Sequence, residues 1–176
     1  MPRLTLLAAP IALALLAGCT QPDKFAPACP QARLLPDAAD LTRFNGRGED
    51  VADMTLNGRL TALRAECSDA GRGLVRARLL GVVMDLTRGP ALPGRQVSVP
   101  LFVAVVENGQ ILVEKDYQVG VTFPTNVDRI NVTEDTDGTE IMLPVSAQKS
   151  AAAYTLFVAF RLSAAELEYN RRSPRR

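Results

Sequence analysis

The chain has 176 residues, with 20 basic and 19 acidic side chains, three cysteines, no histidine and no tryptophan. The absence of histidine excludes Ser-His-Asp and Cys-His catalytic sites and histidine-based zinc sites. Four arginines fall in the last six residues, which leaves the rest of the chain net acidic and argues against nucleic-acid binding. We assign no catalytic residue, no metal ligand and no cofactor, and we expect a protein that is not an enzyme.

The first segment, residues 1–18, predicts a signal peptide. Arg3 precedes an apolar run over 4–17, which is shorter than the roughly 20 residues that span a bilayer. The motif Leu16-Ala17-Gly18-Cys19 closes this segment and resembles the lipobox of bacterial lipoproteins. An ordinary signal peptide that is cut nearby is the alternative.

The lipobox resemblance implies that Cys19 carries a diacylglycerol and that acyl chains on it anchor the protein in a membrane. Two or three acyl chains hold a protein stably, because each buried CH₂ contributes about 0.8 kcal/mol. Thr20, rather than aspartate, follows Cys19. In the lipoprotein family this implies the outer membrane of the bacterial cell envelope, with the domain facing the periplasm.

The next segment, residues 19–28, contains two prolines and predicts a short lipidated tether. After it come Cys29 and Cys67, the remaining cysteines. An even pair in an exported protein predicts a structural disulfide between them. A reactive thiol is the alternative, but the C-x-x-C spacing typical of redox sites is missing. Between these two cysteines, the sequence predicts that residues 34–50 form a loop with one helical turn near 37–43.

The body of the chain predicts β-strands, because apolar residues alternate with polar ones and valine is frequent. Asn108-Gly109 between two apolar runs predicts a type I′ hairpin. Thr136-Asp137-Gly138 predicts a second hairpin, and Pro100 an edge position or a bulge. The predicted strands are 54–67, 73–87, 95–106, 111–123, 128–135, 139–145 and 152–162.

About seven strands with short turns predict an all-β, antiparallel two-sheet sandwich over residues 29–170, of immunoglobulin or fibronectin kind, with a barrel as the alternative. Ser163 and Glu166 form a capping-box pattern, which predicts one short C-terminal helix from Ala164 to Asn170. Residues 171–176 form a basic tail, which either contacts anionic groups or stays solvated.

Two further segments, 28–44 and 154–172, resemble parts of uncharacterised small envelope lipoproteins of proteobacteria, a resemblance that implies no activity. Asp135, Asp137 and Glu140 lie close in sequence, but the ligand spacing of a calcium loop is missing. We therefore expect a lipid-anchored, non-catalytic interaction module that binds an envelope protein through a sheet edge or through loop 41–50. The alternatives are a binding protein for a small or lipidic ligand held between the sheets, and an enzyme that uses carboxylates.

Overall fold

The computed structural model describes residues 28–172, without the side chains of 137 and 138. The predicted signal peptide, Cys19 and the end of the basic tail lie outside the described residues. Short 3₁₀ turns occur at Pro36–Ala38, Val51–Asp53 and Ala151–Ala153. The strands and helix are β1 Gln31–Leu34, β2 Asp40–Phe44, β3 Met54–Gly71, β4 Leu74–Arg88, β5 Gln96–Glu107, β6 Gln110–Thr122, β7 Arg129–Pro144, β8 Tyr154–Phe160 and α1 Ala164–Arg172.

The strands form two sheets, which confirms the predicted all-β sandwich with one short C-terminal helix. Sheet I has the order β1-β8-β5-β6 and sheet II the order β2-β3-β4-β7. The pairs are antiparallel except β1 and β8, which run parallel. The strand order also differs from that of immunoglobulin constant domains, in which strands 1-2-5-4 face strands 3-6-7.

The core lies between the sheets and follows the predicted alternation. Val75, Ala77 and Leu79 on β4 are buried, as are the alternate residues of β8 from Tyr154 to Phe160. Successive side chains of a strand point to opposite faces, so one phase of each strand fills the core. These apolar side chains occupy the space between the sheets.

The Asn108-Gly109 hairpin is confirmed, and both residues have the positive φ that this turn requires (50° and 78°). The second hairpin is wrong, because Arg129–Pro144 is one strand. Its two halves pair with β4 on either side of a register shift, at Gly81 opposite Asp135 and Leu79 opposite Thr139. The residues predicted to form a turn are therefore extra residues in β7, opposite the register shift in β4.

Pro100 does not lie on an edge strand, because β5 lies between β8 and β6 in sheet I. At Pro100 itself, however, only one of these two neighbours is paired with β5. Pairing of β5 with β8 starts at Leu101, and the Arg161 backbone N–H donates to the Pro100 carbonyl just beyond the end of β8. Only the neighbouring β6 pairs with Pro100 as a strand. The missing N–H of proline thus falls on the side of β5 where β8 has already ended.

The segment read as a loop, residues 34–50, contains a 3₁₀ turn and the strand β2. Both β1 and β2 are only four or five residues long. Their apolar pattern is too short to distinguish a strand from a loop. Each is held by pairing with a distant strand, β1 with β8 and β2 with β3.

Candidate functional site

The disulfide partners Cys29 and Cys67 are bonded, with Cα atoms 5.7 Å apart. Cys29 precedes β1, an edge strand of sheet I, whereas Cys67 lies on β3 of sheet II. The bond therefore joins the two sheets where the chain enters the domain, which we call the tether end. The predicted lipidation site, Cys19, lies outside the described residues.

The opposite end of the sandwich, which we call the far end, carries the start of α1. Because β1 and β8 are parallel, β1 starts at the same end as β8, and α1 follows the finish of β8. The chain therefore enters the domain at one end, and α1 begins at the other. Residues 28–172 contain no helix with the length and apolar character that a membrane span requires.

The predicted capping box starts α1. The Ser163 backbone N–H donates to Glu166 Oε2 (2.7 Å), and the Glu166 N–H donates to Ser163 Oγ (3.2 Å). The second carboxylate oxygen of Glu166 accepts from Arg43 Nε at 2.8 Å. Partial burial raises the pKa of Glu166, but these hydrogen bonds outweigh burial and hold that pKa below its ordinary value.

The helix runs back along β2 and covers this short edge strand. Arg43 near the end of β2 contacts Glu166 in the first turn, and Asn170 Nδ2 donates to the Asp40 carbonyl at 2.7 Å near the start of β2. Asn170 also donates to the Asp37 carbonyl. An exposed strand edge invites pairing with other chains, so the helix protects this one.

An open cleft of about 380 Å³, which we call the distal cleft, lies between the helix, the end of β2 and the loop over residues 45–50. Phe44 and Tyr169 contribute to its walls and form an edge-to-face pair with ring centroids 5.1 Å apart. The charged residues that line it are Arg43, Arg47, Glu49 and Glu166.

The loop over the distal cleft is fastened at its base and at its tip. At the base, the Asn45 N–H donates to the Asp53 carbonyl (2.9 Å) and its side-chain amide donates to Asp53 Oδ1 (3.3 Å). At the tip, Arg172 lies 2.9 Å from Glu49. Gly46 has a φ of +87°, which favours glycine there. The loop thus has a defined path over the helix.

The second surface is the outer face of sheet I, which is apolar at its centre. Ala104 and Ala159 point away from the core yet are only 2% and 0% exposed. Phe102 is the register partner of Ala159, and Phe157 is the partner of Ala104. Arg161 lies over the Phe102 ring, 4.3 Å from its centroid, and its guanidinium also binds Glu114 and Asp116 on β6.

Beside this face runs β6, the last strand of sheet I. No described strand pairs with its outer side. Ile111 and Leu112 near its start are 59% and 48% exposed. Lys115 lies on the core-facing phase but is exposed, and its ammonium pairs with no described side chain. An open edge with exposed aliphatic side chains is a surface for strand addition, and an inward-phase lysine restricts which strands fit.

The outer face of sheet II is polar by contrast, and its charges are paired across strands. Arg78 contacts Glu66 at 2.9 Å and Glu140 at 3.5 Å, and Arg76 also lies 3.5 Å from Glu140. Arg64 binds Asp135 at 2.7 Å. These pairs use two carboxylates of the predicted acidic cluster. Within the described part of the chain, no three potential ligands lie close enough to hold a metal ion.

The sequence indicated loop 41–50 and a sheet edge as candidate partner surfaces. In the structure, the loop borders the distal cleft and the open sheet edge is β6. The distal cleft was missed because its walls come from residues more than 100 positions apart, such as Arg43 and Glu166. The apolar outer face of sheet I could be recognised from the sequence, because β5 and β8 have apolar residues in both alternating positions. Searches of family models, curated proteins and solved structures give no match for this chain.

Proposed function

We propose that the protein is a lipid-anchored, non-catalytic interaction module of the bacterial cell envelope, an accessory or assembly subunit that binds a protein partner. The observation that carries this proposal is the open β6 edge beside the apolar outer face of sheet I. Strand addition supplies main-chain hydrogen bonds along such an edge, and apolar contacts beside it add specificity.

The difference between the two outer faces supports sheet I as the partner surface. Sheet II presents arginines and carboxylates that already bind each other. Sheet I presents Phe102, Val106 and Phe157, all half-buried, with Ile111 and Leu112 exposed at its rim. Interface centres are typically apolar and aromatic, which is the composition of this surface.

The lipid anchor rests on the lipobox, and its test is cell fractionation. In the proposal, acyl chains on Cys19 hold the tether end close to the outer membrane, and the domain extends into the periplasm. Cys19→Ala removes the acceptor thiol, so we expect the protein to move from the membrane fraction to the soluble fraction. A variant that still sediments with membranes refutes the anchor and leaves the partner surface to be tested separately.

Site-specific photo-crosslinking in intact cells tests the partner. A photoreactive residue at Gln118 on β6 is compared with one at Asp85, an exposed position on the central strand β4 of sheet II. We expect one stoichiometric envelope protein to crosslink at Gln118 and not at Asp85. Equal labelling at both positions, or no partner at Gln118 in well-folded, abundant protein, contradicts the proposal.

A matched pair of substitutions connects that partner to the outer face of sheet I. Phe157→Lys places a charge on this face, and Val83→Lys places one at a half-buried apolar position on sheet II. We expect only Phe157→Lys to abolish the crosslink, with circular dichroism showing that both variants fold. The alternative function, binding of a small or lipidic ligand, is tested by mass spectrometry of the purified protein for retained ligand.

A further inference from the structure

The distal cleft has one positive charge that no described residue neutralises. Of its four charged lining residues, Arg43 binds Glu166 and Glu49 binds Arg172. Arg47 uses its backbone N–H to bind Asn45 Oδ1 at 2.9 Å. Its guanidinium has no hydrogen bond or ion pair with any described side chain or carbonyl. The cleft is therefore complementary to an anion.

The rest of the cleft lining suits the body of such an anion. Phe44 and Tyr169 provide an aromatic wall of two rings at 70° to each other. The Tyr169 hydroxyl has no hydrogen-bond partner among residues 28–172, so it is available as a second donor. A guanidinium binds a planar oxyanion through two parallel N–H donors, and an aromatic wall favours an apolar carrier of that group.

The two carboxylates in the cleft do not oppose this binding, because each is already paired. Glu166 accepts from both Arg43 and the Ser163 N–H, and Glu49 accepts from Arg172. The ion pair at Glu49 also keeps the loop that carries Arg47 beside the helix. The backbone of Arg47 is thus positioned by contacts that an incoming ligand does not need to break.

We propose that the distal cleft binds the carboxylate of an apolar or aromatic acid, with Arg47 as the principal donor. The acid is either a small molecule or the end of a peptide, and both present the same chemistry. The site is separate from the β6 edge and does not depend on the lipid anchor. Its place toward the far end of the sandwich leaves it clear of the end where the chain enters.

The test uses the full protein as cells produce it, purified in detergent and labelled with ¹⁵N for NMR. Benzoate is titrated against its neutral counterpart, benzamide. We expect benzoate alone to give saturable shifts of the Arg47 Nε–Hε signal and of amides in 44–49 and 163–169. A peptide that ends in phenylalanine, with a free or an amidated C-terminus, forms the second arm. Tighter binding of the free-acid peptide than of benzoate identifies a peptide ligand, and the reverse identifies a small acid.

Substitutions at Arg47 decide whether this residue is the donor. We expect Arg47→Gln to weaken benzoate binding by about tenfold or more, and Arg47→Lys to weaken it less, because lysine keeps the charge but loses the planar fork. Arg72→Gln is the control: Arg72 is exposed in the β3–β4 turn at the other end and has no ion pair with a described residue. Benzamide binding equal to benzoate, unchanged affinity in a folded Arg47→Gln variant, or shifts elsewhere overturn the proposal.

Discussion

Arg43 Nε lies 2.8 Å from Glu166 Oε1, although 123 residues separate the two in the chain. The contact joins the edge strand β2 to the first turn of α1. Glu166 is only 13% exposed, and its other oxygen closes the capping box. One carboxylate therefore starts the helix and fixes it to the sheet. This is the point at which a local sequence motif becomes a tertiary contact.

Glu166→Gln is expected to destabilise the protein by about 1–2 kcal/mol, because the amide has no charge and only one oxygen to accept from Arg43 and the Ser163 N–H. Chemical denaturation at neutral pH gives the free energy of unfolding. The control is Glu168→Gln, which changes an exposed carboxylate on the same helix. In a double-mutant cycle with Arg43→Gln, we expect a coupling of about 0.5–1 kcal/mol. Additive effects of the two substitutions refute the pairing.

The stability from Glu166 is expected to depend on pH in the acid range. Its pKa in the folded protein lies below the ordinary value of 4.5, so the folded state holds the carboxylate ionised more readily than the unfolded state does. The contribution is therefore fully present above 4.5 and is lost as the pH falls through the folded-state pKa. Denaturation midpoints of wild type and Glu166→Gln, measured from neutral to acid pH, should converge below 4.5. A constant difference between them argues against this titration.

Loss of the Cys29–Cys67 bond is expected to lower the free energy of unfolding by about 3–4 kcal/mol, the value for closing a loop of this length. Reduction with dithiothreitol should lower the denaturation midpoint of the wild type. The same reductant should leave the double variant Cys29→Ser/Cys67→Ser unchanged. A wild type that is equally stable when reduced contradicts this contribution of the disulfide.

Lys115→Val is expected to increase self-association of the protein. The exposed lysine lies on the core-facing phase of the open β6 edge, and pairing with a second copy is disfavoured because it buries this charge. Gln118→Val adds the same apolar group to the outer phase of β6 and serves as the control. Sedimentation velocity over a range of concentrations measures the association. Equal association of both variants assigns the effect to added hydrophobicity and not to the missing charge.

Gly89→Ala is expected to destabilise the fold by about 3 kcal/mol or more, because overpacking against backbone has no cheap relief. A Cβ at this position lies 2.0 Å from the Met54 carbonyl oxygen. By contrast, a Cβ built on Gly120 of β6 would have no neighbouring atom within 4 Å. Gly120→Ala should therefore be neutral or stabilise by about 0.5–1 kcal/mol. Thermal denaturation of both variants compares the two, and similar midpoints contradict the close approach at Gly89.

Features that depend on neighbouring residues could be read directly from the sequence. The alternation of β4 and β8, the Asn108-Gly109 turn and the Ser163–Glu166 capping box each lie within a few positions, so backbone geometry and side-chain periodicity decide them. The cysteine pair could also be predicted, because only two cysteines remain when the lipobox resemblance sets Cys19 aside. For these features, the structure predicted from neighbouring residues is the structure found in the fold.

The remaining features required the tertiary structure, because their energies come from distant strands. Pairing with β8 and β3 makes strands of β1 and β2, and the length of β4 turns an expected hairpin into the single strand β7. The distal cleft exists only because α1 lies along β2, which makes Arg47 and the Phe44–Tyr169 pair line one cleft. No periodicity in the sequence encodes such a contact. It arises when the sheets bury their apolar faces and bring the two ends of the domain sequence together.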